Sequence, residues 1–337
     1  MAAQQLPYDL TKVFQNPLVE LTQSSMGTFM TCRQKYVFRY LLWLSPSGIN
    51  VPFLVGGAVH KGLDIILSPK NCQLSVEDRL MLAEKAIKEK FDNALSEHVI
   101  PDTTKLNQGR AQAHAILRTW VFHYIDSLPF TVLGTEECIR ARATSVNAPL
   151  VDRMAGQLDG HVVAVDDQDE HGLLEHKTRY AMGSYDPVAM LPIDMQVMWY
   201  VKLAMDVWQV HIQRLYYNVM AKPQHRSGEY EVLAKKMFDA MVVDTAKYFY
   251  FTDPYIQIED VERAYENWQR VVDMMDNLCP ATCTMNTKAC SYYNGCPYSI
   301  LCTRGADVAN PESVFQIPEV EMFQLVSPHE ELDRDEE

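Results

Sequence analysis

Apolar and polar residues alternate on both sides of an acidic turn in residues 156–177, GQLDGHVVAVDDQDEHGLLEHK. This pattern predicts two half-buried strands joined by a polar, glycine-terminated reversal at residues 166–172. Such a hairpin brings Asp159 on the first strand close to Glu175 on the second. Glu175 and Lys177 are two residues apart and share one face of their strand. Two carboxylates and an ammonium then converge on one point, the pattern of a divalent-metal site with a lysine beside it.

The segments around the hairpin read mostly as helices. Residues 21–40 offer Thr22, Ser24 and Ser25 as caps and then apolar and aromatic residues at helical spacing, which puts Cys32 on a helix. A turn at residues 45–48 precedes a helix over 53–67, where Gly56, Gly57 and Ala58 permit a close approach by another backbone. His60 lies on that helix, and a lone histidine there reads more readily as a hydrogen-bonded core residue than as a ligand. Ser75 and Asp78 resemble a capping box at the head of a helix over 75–98. A second helix over 108–126 carries Trp120, Phe122 and Tyr124 as packing residues. Residues 130–143 read as the strand that leads into the hairpin; either Glu136 or Glu137 on it could join the metal site, and a solvated edge carboxylate is the stronger reading for both. After an irregular connection over 178–192 comes a buried helix over 193–207, with Gln196 and Tyr200 four apart on one face. A strand over 208–220 and helices over 228–251 and 258–278 follow. Strands flanked by helices on both sides make this an α/β chain.

Composition narrows the class. With 47% hydrophobic and 22% charged residues in 337, the chain is an ordinary globular protein. A net charge of −14 argues against a generally basic nucleic-acid binder and leaves room for a local basic surface. No uncharged run is long enough for a membrane span, and the first residues lack the pattern of a secretory signal. The expected compartment is therefore the cytoplasm or nucleoid. In a reducing compartment the eight cysteines read as ligands or core residues rather than disulfides. Five of them fall between Cys279 and Cys302, with Cys290, Cys296 and Cys302 evenly spaced around Gly295 and Pro297. Zinc sites usually pair cysteines more closely, although Cys279 and Cys283 could seed one; with a fourth ligand from elsewhere the three suit an iron-sulfur cluster. Cys72 and Cys138 read as buried thiols. The last residues, 306–337, form an acidic tail.

Cys32, the GGAVH around His60, the GQLD around Asp159, the EHK of residues 175–177, the QVMWY of residues 196–200 and CSYYNGCPYSILC at residues 290–302 occur in an order that resembles one family. It is the PD-(D/E)XK nuclease superfamily, in the RecB-like branch with an iron-sulfur staple, which includes CRISPR-associated RecB-like exonucleases, AddB-type nuclease domains and phage relatives. The resemblance implies a restriction-endonuclease-like core with a mixed central sheet flanked by helices, a helical insertion at about residues 70–128, and a C-terminal iron-sulfur staple. One nuclease domain would span residues 21–305, after an N-terminal arm over 1–20. His60, Asp159, Glu175 and the backbone carbonyl of His176 would bind Mg²⁺ or Mn²⁺. Lys177 would orient the attacking water, and Gln196 and Tyr200 would contact DNA or support the lysine. Cys32, Cys290, Cys296 and Cys302 would ligate a [4Fe-4S] cluster, although the gap from Cys290 to Cys296 is wider than in the CRISPR-associated and AddB-type members and leaves Cys279 or Cys283 as substitutes. The implied activity is that of a DNA exonuclease acting on single strands or ends in recombination, repair or replication.

Two other classes stay open on the residues alone: a DNA-binding or assembly module that keeps fold and cluster without cutting, and a zinc-stapled structural protein. No GxxxxGK[ST] loop occurs, so a helicase or recombination partner would be another chain, and self-association is left undecided.

Overall fold

The computed structural model describes residues 20–41, 44–46, 49–97, 103–142, 153–167, 169–182, 187–225, 229–276, 278, 283–299, 302 and 323–325. In chain order the elements are β1 (Glu20–Thr22), α1 (Gln23–Thr31), α2 (Arg33–Tyr36), a π-helical turn (Val37–Leu41), β2 (Leu44–Pro46), α3 (Val51–Leu67), α4 (Val76–Glu97) and α5 (Thr103–Tyr124). They continue with β3 (Phe130–Arg142), β4 (Arg153–Ala164), β5 (His171–Arg179), α6 (Met195–Trp208), β6 (Ile212–Ala221), α7 (Tyr230–Val243), β7 (Phe249–Thr252), α8 (Ile258–Asp276) and β8 (Phe323–Leu325). The chain divides into two compact units, one of Met1–Ser47, Arg140–Gly156 and Glu262–Glu337, the other of Gly48–Ile139 and Gln157–Val261.

The sheet has six strands in the order β1-β4-β5-β6-β7, with β3 also on β4. β4 and β5 form the expected antiparallel hairpin, in register from Gly160 opposite Leu174 to Val163 opposite His171. β5 and β6 run parallel, with α6 as the crossover that a parallel pair requires. β7 returns antiparallel on β6. The fold is thus α/β with a mixed sheet flanked by helices, consistent with a restriction-endonuclease-like core.

The core of the second unit lies where α3, α5 and the sheet meet. Val55, Val59, Leu63 and Ile66 on α3, Ile116, Leu117 and Trp120 on α5, and Val162, Leu174 and Tyr216 on the strands are all buried. The apolar stripe of α3 recurs every three or four residues, which turns one face of the helix to this core. Gly62 is needed for the fit, since a Cβ there would stand 3.0 Å from Leu117. α4 begins as its sequence suggests: Ser75 Oγ accepts from the Asp78 N–H at 3.1 Å and donates to the Asp78 carboxylate at 2.8 Å.

Several boundaries differ from the sequence pattern. The helix expected over 21–40 is broken at Cys32, whose extended backbone (φ −159°, ψ 109°) separates α1 from α2. Trp208 ends α6 instead of starting a strand, because Gln209 takes a left-handed conformation (φ 57°) that closes the helix. The helix expected over 228–251 stops at Val243, and Phe249–Thr252 pairs with β6 instead, a tertiary choice for a short aromatic run. Phe122 is exposed and edges against His123 at 5.0 Å and Phe238 at 6.4 Å. Cys72 is exposed, because it follows the short 3-10 turn Pro69–Asn71 on the surface, and Cys138 is half-buried.

Candidate metal and catalytic site

Four elements of the second unit bring side chains to the open end of the β4–β5 hairpin. β4 contributes Asp159, and β5 contributes Glu175 and Lys177. From α3 comes His60, whose Nδ1 lies 2.8 Å from Asp159 Oδ1. The other Asp159 oxygen accepts the backbone N–H of His176 at 2.6 Å, so a main-chain bond fixes the aspartate before any ligand arrives. The Lys177 ammonium donates to the Glu175 carboxylate and, at 2.6 Å, to the side-chain oxygen of Gln196 on α6. Gln196 in turn donates to the Tyr200 hydroxyl at 3.0 Å, which accounts for the spacing of four along the helix. Asp194 caps α6 by accepting the N–H groups of Gln196 and Val197, holding the helix start in place under the lysine. The structure therefore joins the sequence-predicted residues into two linked groups, His60 with Asp159, and Glu175 with Lys177, Gln196 and Tyr200.

Glu136 joins the first group, against the reading of it as a solvated edge carboxylate. Ligand atoms of His60, Glu136 and Asp159 all lie within 4.8 Å of one another. Two local features aim it inward. Its backbone is left-handed (φ 49°), a conformation uncommon for glutamate and interrupting the alternation of β3. Its neighbour Thr135 donates to Asp64 on α3 at 2.5 Å, tying this point of β3 to the helix that carries His60. Alternation alone gives no sign of either feature. His176 uses its main chain at the site, and its buried imidazole packs behind it: Nδ1 meets the Asn218 amide at 2.9 Å, and the ring stands edge-on to His60 at 5.8 Å and to Trp120 at 6.2 Å.

A family model described as the PD-(D/E)XK nuclease superfamily matches residues 20–303 of this chain, with the hairpin acid, the following Glu-x-Lys and the helix residues behind them all inside the match. The chain belongs to the PD-(D/E)XK nuclease superfamily. No curated protein gives a significant match to it. Membership makes the chain a nuclease by family, and nucleases of this superfamily usually use a divalent metal.

The electrostatics of this PD-(D/E)XK site fit such an ion. Burial alone would favour neutral His60, yet Asp159, with Glu136 and Glu175 behind it, holds the imidazolium and lifts its pKa to about 9. Burial likewise pushes Asp159 up, but the imidazolium and the His176 N–H prevail and hold it down at about 2. Glu136 is driven up to about 8 by burial and the Asp159 charge, and Glu175 to about 7 by burial, with Lys177 opposing and Asp159 adding to it. Lys177 stays a cation: burial works against its charge, and the Glu175 carboxylate raises its pKa. Burial lowers His176 to about 4, leaving it neutral. Three carboxyl groups crowd a buried point that cannot hold all their charges without a counterion, and a divalent cation supplies one. The set of hard oxygens plus one imidazole suits Mg²⁺ and, better, Mn²⁺.

The cysteine ligands expected in the first unit are arranged differently from a compact single-ion site. Among the described residues, no three cysteine sulfurs fall within 4.8 Å of one another. Cys32 is buried in its break between α1 and α2, and Cys290, Cys296 and Cys302 are half-buried. The Cys302 thiol is pushed up to about 11 by burial and by the sulfurs of Cys32, Cys296 and Cys290, so all four are within electrostatic reach. The Cys296 N–H donates to the Cys290 carbonyl at 2.8 Å across Gly295, whose φ of 111° turns the chain, and Tyr298 stacks on Phe38 to seat the segment. Cys279 lies outside the described residues; Cys283 is half-buried. Among the described residues no helix is long and apolar enough to cross a membrane.

Proposed function

We propose that this protein is a metal-dependent DNA exonuclease that hydrolyses phosphodiester bonds of single strands or DNA ends in recombination, repair or replication. The observation that carries this reading is the Lys177 ammonium, clamped between Glu175 and Gln196 one residue past the main chain that fixes Asp159. A binding module would have no use for a buried, oriented cation beside a carboxylate group that repels itself.

His60, Glu136 and Asp159 would hold the ion, with Glu175 and the carbonyl of His176 as further ligands. When bound, the Mg²⁺ or Mn²⁺ ion would acidify water and neutralise charge on the scissile phosphate. The chain's own residues do the rest. Lys177 donates to the attacking oxygen or to a phosphate oxygen as negative charge grows there, from a position that needs no rearrangement. Glu175, poised near neutrality, accepts or returns a proton in that exchange. Gln196 and Tyr200 keep the lysine from swinging away. Water attacks phosphorus and gives up a proton, the P–O bond to one deoxyribose oxygen breaks, and that oxygen leaves with a proton.

We further read Cys32, Cys290, Cys296 and Cys302 as ligands of a structural [4Fe-4S] cluster. Support comes from four thiols drawn from both ends of the matched region: burial, and after it the sulfurs of the other cysteines, raises the pKa of Cys296 and Cys302, and the four do not crowd as tightly as ligands of one ion. A cubane spreads its thiolates more widely than a single zinc does.

The test uses anaerobically purified protein and 5′- and 3′-labelled single- and double-stranded DNA with Mg²⁺ or Mn²⁺. Wild type should degrade strands, and Asp159→Ala or Lys177→Ala should not. Tight DNA binding with no product under either metal would instead establish a non-cutting module. Iron and sulfide assays, with the visible spectrum, decide the cluster; zinc without iron would overturn it.

A further inference from the structure

Phe53 and Tyr180 are the two most exposed aromatic side chains among the described residues, at 78% and 72%. A single exposed ring needs no explanation, but these two occupy related places in the second unit. Phe53 is on α3 seven residues before His60, hence on the same face of the helix and about 10 Å along it. Between them the helix face is glycine covered by neighbouring side chains: a Cβ at Gly56 would stand 2.9 Å from Thr178 Oγ1, beside Lys177, and one at Gly57 would stand 3.3 Å from Lys90 Nζ, so Thr178 and the Lys90 ammonium lie against this stretch of α3. Tyr180 follows directly at the end of the catalytic strand. Lys222 links the two places, since its N–H donates to the Arg179 carbonyl at 2.8 Å and its ammonium to the Pro52 carbonyl at 2.8 Å.

We propose that Phe53 and Tyr180 form a stacking platform for the unpaired bases of a DNA strand that continues past Thr178 and Lys90 toward His60 and Asp159. Three properties point to this occupant. Exposed rings offer sequence-tolerant stacking, and only unstacked bases can use it, because bases inside a duplex already stack on each other. The Lys90 ammonium lies against Gly57 and Lys222 sits between the two rings, so cations border the platform on a chain whose net charge is −14, while Lys61 beside His60 is paired with Asp64. The separation of Phe53 from His60 corresponds to one or two nucleotides, so a strand anchored on the rings would present its next phosphates to the site. The proposal rests on the nuclease reading for the identity of the ligand and deepens it by selecting single strands or frayed ends over intact duplex.

The experiment measures binding in EDTA, where no hydrolysis occurs, by fluorescence anisotropy of a labelled oligothymidylate and by the emission of 2-aminopurine placed at successive positions of the strand. Phe53→Ala and Tyr180→Ala should each weaken single-strand binding about 5- to 100-fold and remove the 2-aminopurine quenching at one position. Phe53→Trp and Tyr180→Phe should restore both. Phe122→Ala, which removes an exposed ring from α5 far along the sequence, should leave affinity unchanged. Both target side chains are exposed, so the variants keep the fold, which thermal melts verify. Wild-type affinity in both alanine variants overturns the platform, whether or not the protein cuts. Binding that the variants lose, in a wild type that cuts nothing with Mg²⁺ or Mn²⁺, upholds the platform and overturns the nuclease reading. A wild type that neither binds nor cuts overturns both.

Discussion

Glu136→Gln should stabilise the metal-free protein at alkaline pH and weaken its hold on metal. In the native protein Glu136 is raised from 4.5 to about 8, by burial and by the Asp159 charge. At about 1.36 kcal/mol per pH unit this bounds the cost of its ionised form at roughly 4 to 5 kcal/mol. The side chain is partly open to water, which screens it, and a realistic figure is about 2 kcal/mol. A carboxyl with a raised native pKa binds more protons folded than unfolded between 4.5 and 8, so its contribution is intact below 4.5 and is lost as pH climbs through 8. His60 adds to the same slope, its stabilising share being full below 6.5 and gone above about 9. Urea denaturation in EDTA at pH 5 and pH 9 should therefore show wild type losing about 2 kcal/mol more than Glu136→Gln over that range. Glu136→Gly should be gentler still, because glycine also accepts the left-handed backbone at about 1 kcal/mol less strain. Saturating Mn²⁺ should remove most of that advantage at pH 9 and put wild type ahead at pH 5: a tenfold loss of affinity in Glu136→Gln subtracts about 1.4 kcal/mol from the metal-induced stabilisation. Identical pH slopes and identical Mn²⁺ stabilisation in wild type and Glu136→Gln would refute the argument that this glutamate faces the ion.

Gln196→Leu removes the oxygen that receives Lys177, and on the proposed mechanism it should lower kcat about 10- to 100-fold while KM moves little, as loss of an outer hydrogen-bond partner commonly does. Steady-state kinetics on labelled single strands would read this, and a change in KM alone would reassign Gln196 to substrate binding. Trp120 is fully buried and stands edge-on to the His176 ring 6.2 Å away, so Trp120→Ala should cost about 3 to 5 kcal/mol in chemical denaturation. Trp120→Phe should cost much less, because it also removes an indole N–H that lacks a hydrogen-bond partner among the described residues; an equal loss in both variants would contradict this.

The hairpin was legible in the sequence because strand periodicity is short-range: once residues 161–165 and 173–174 are apolar on alternate positions, the facing of Asp159, Glu175 and Lys177 follows. Gln196 and Tyr200 were legible for the same reason, through the helical spacing of four. His60 could be placed on a helix, but only the family resemblance pointed it at Asp159. Glu136 was legible only as the weaker of two readings, since its direction depends on one left-handed residue and on the Thr135–Asp64 bond, neither of which leaves a trace in an apolar–polar pattern. β7 was hidden in a run of aromatic residues, FYFT, that suits helix or strand until an open edge on β6 decides it. Cys72 was misread because cysteine is usually buried, while the turn at Pro69 carries it to the surface.

The same sheet geometry also divides the labour among the carboxyl groups. Asp159 sits where a protonated histidine and a main-chain N–H both meet it, so it remains ionised far into acid. For Glu136, burial and the Asp159 charge outweigh the His60 imidazolium and Lys61, and for Glu175 burial outweighs Lys177, which also donates to Gln196. The metal-free site is therefore one fixed anion flanked by two carboxyl groups that hold protons near neutrality. A divalent ion arriving at Asp159 would displace the His60 proton and then those of the glutamates, so its affinity should rise with pH up to about 9, where His60 deprotonates on its own. Lys177 escapes this competition because its charge is balanced by Glu175 rather than by Asp159. The ion and the lysine can then be positive at the same time within one hairpin, which hydrolysis of a dianionic transition state at phosphorus demands.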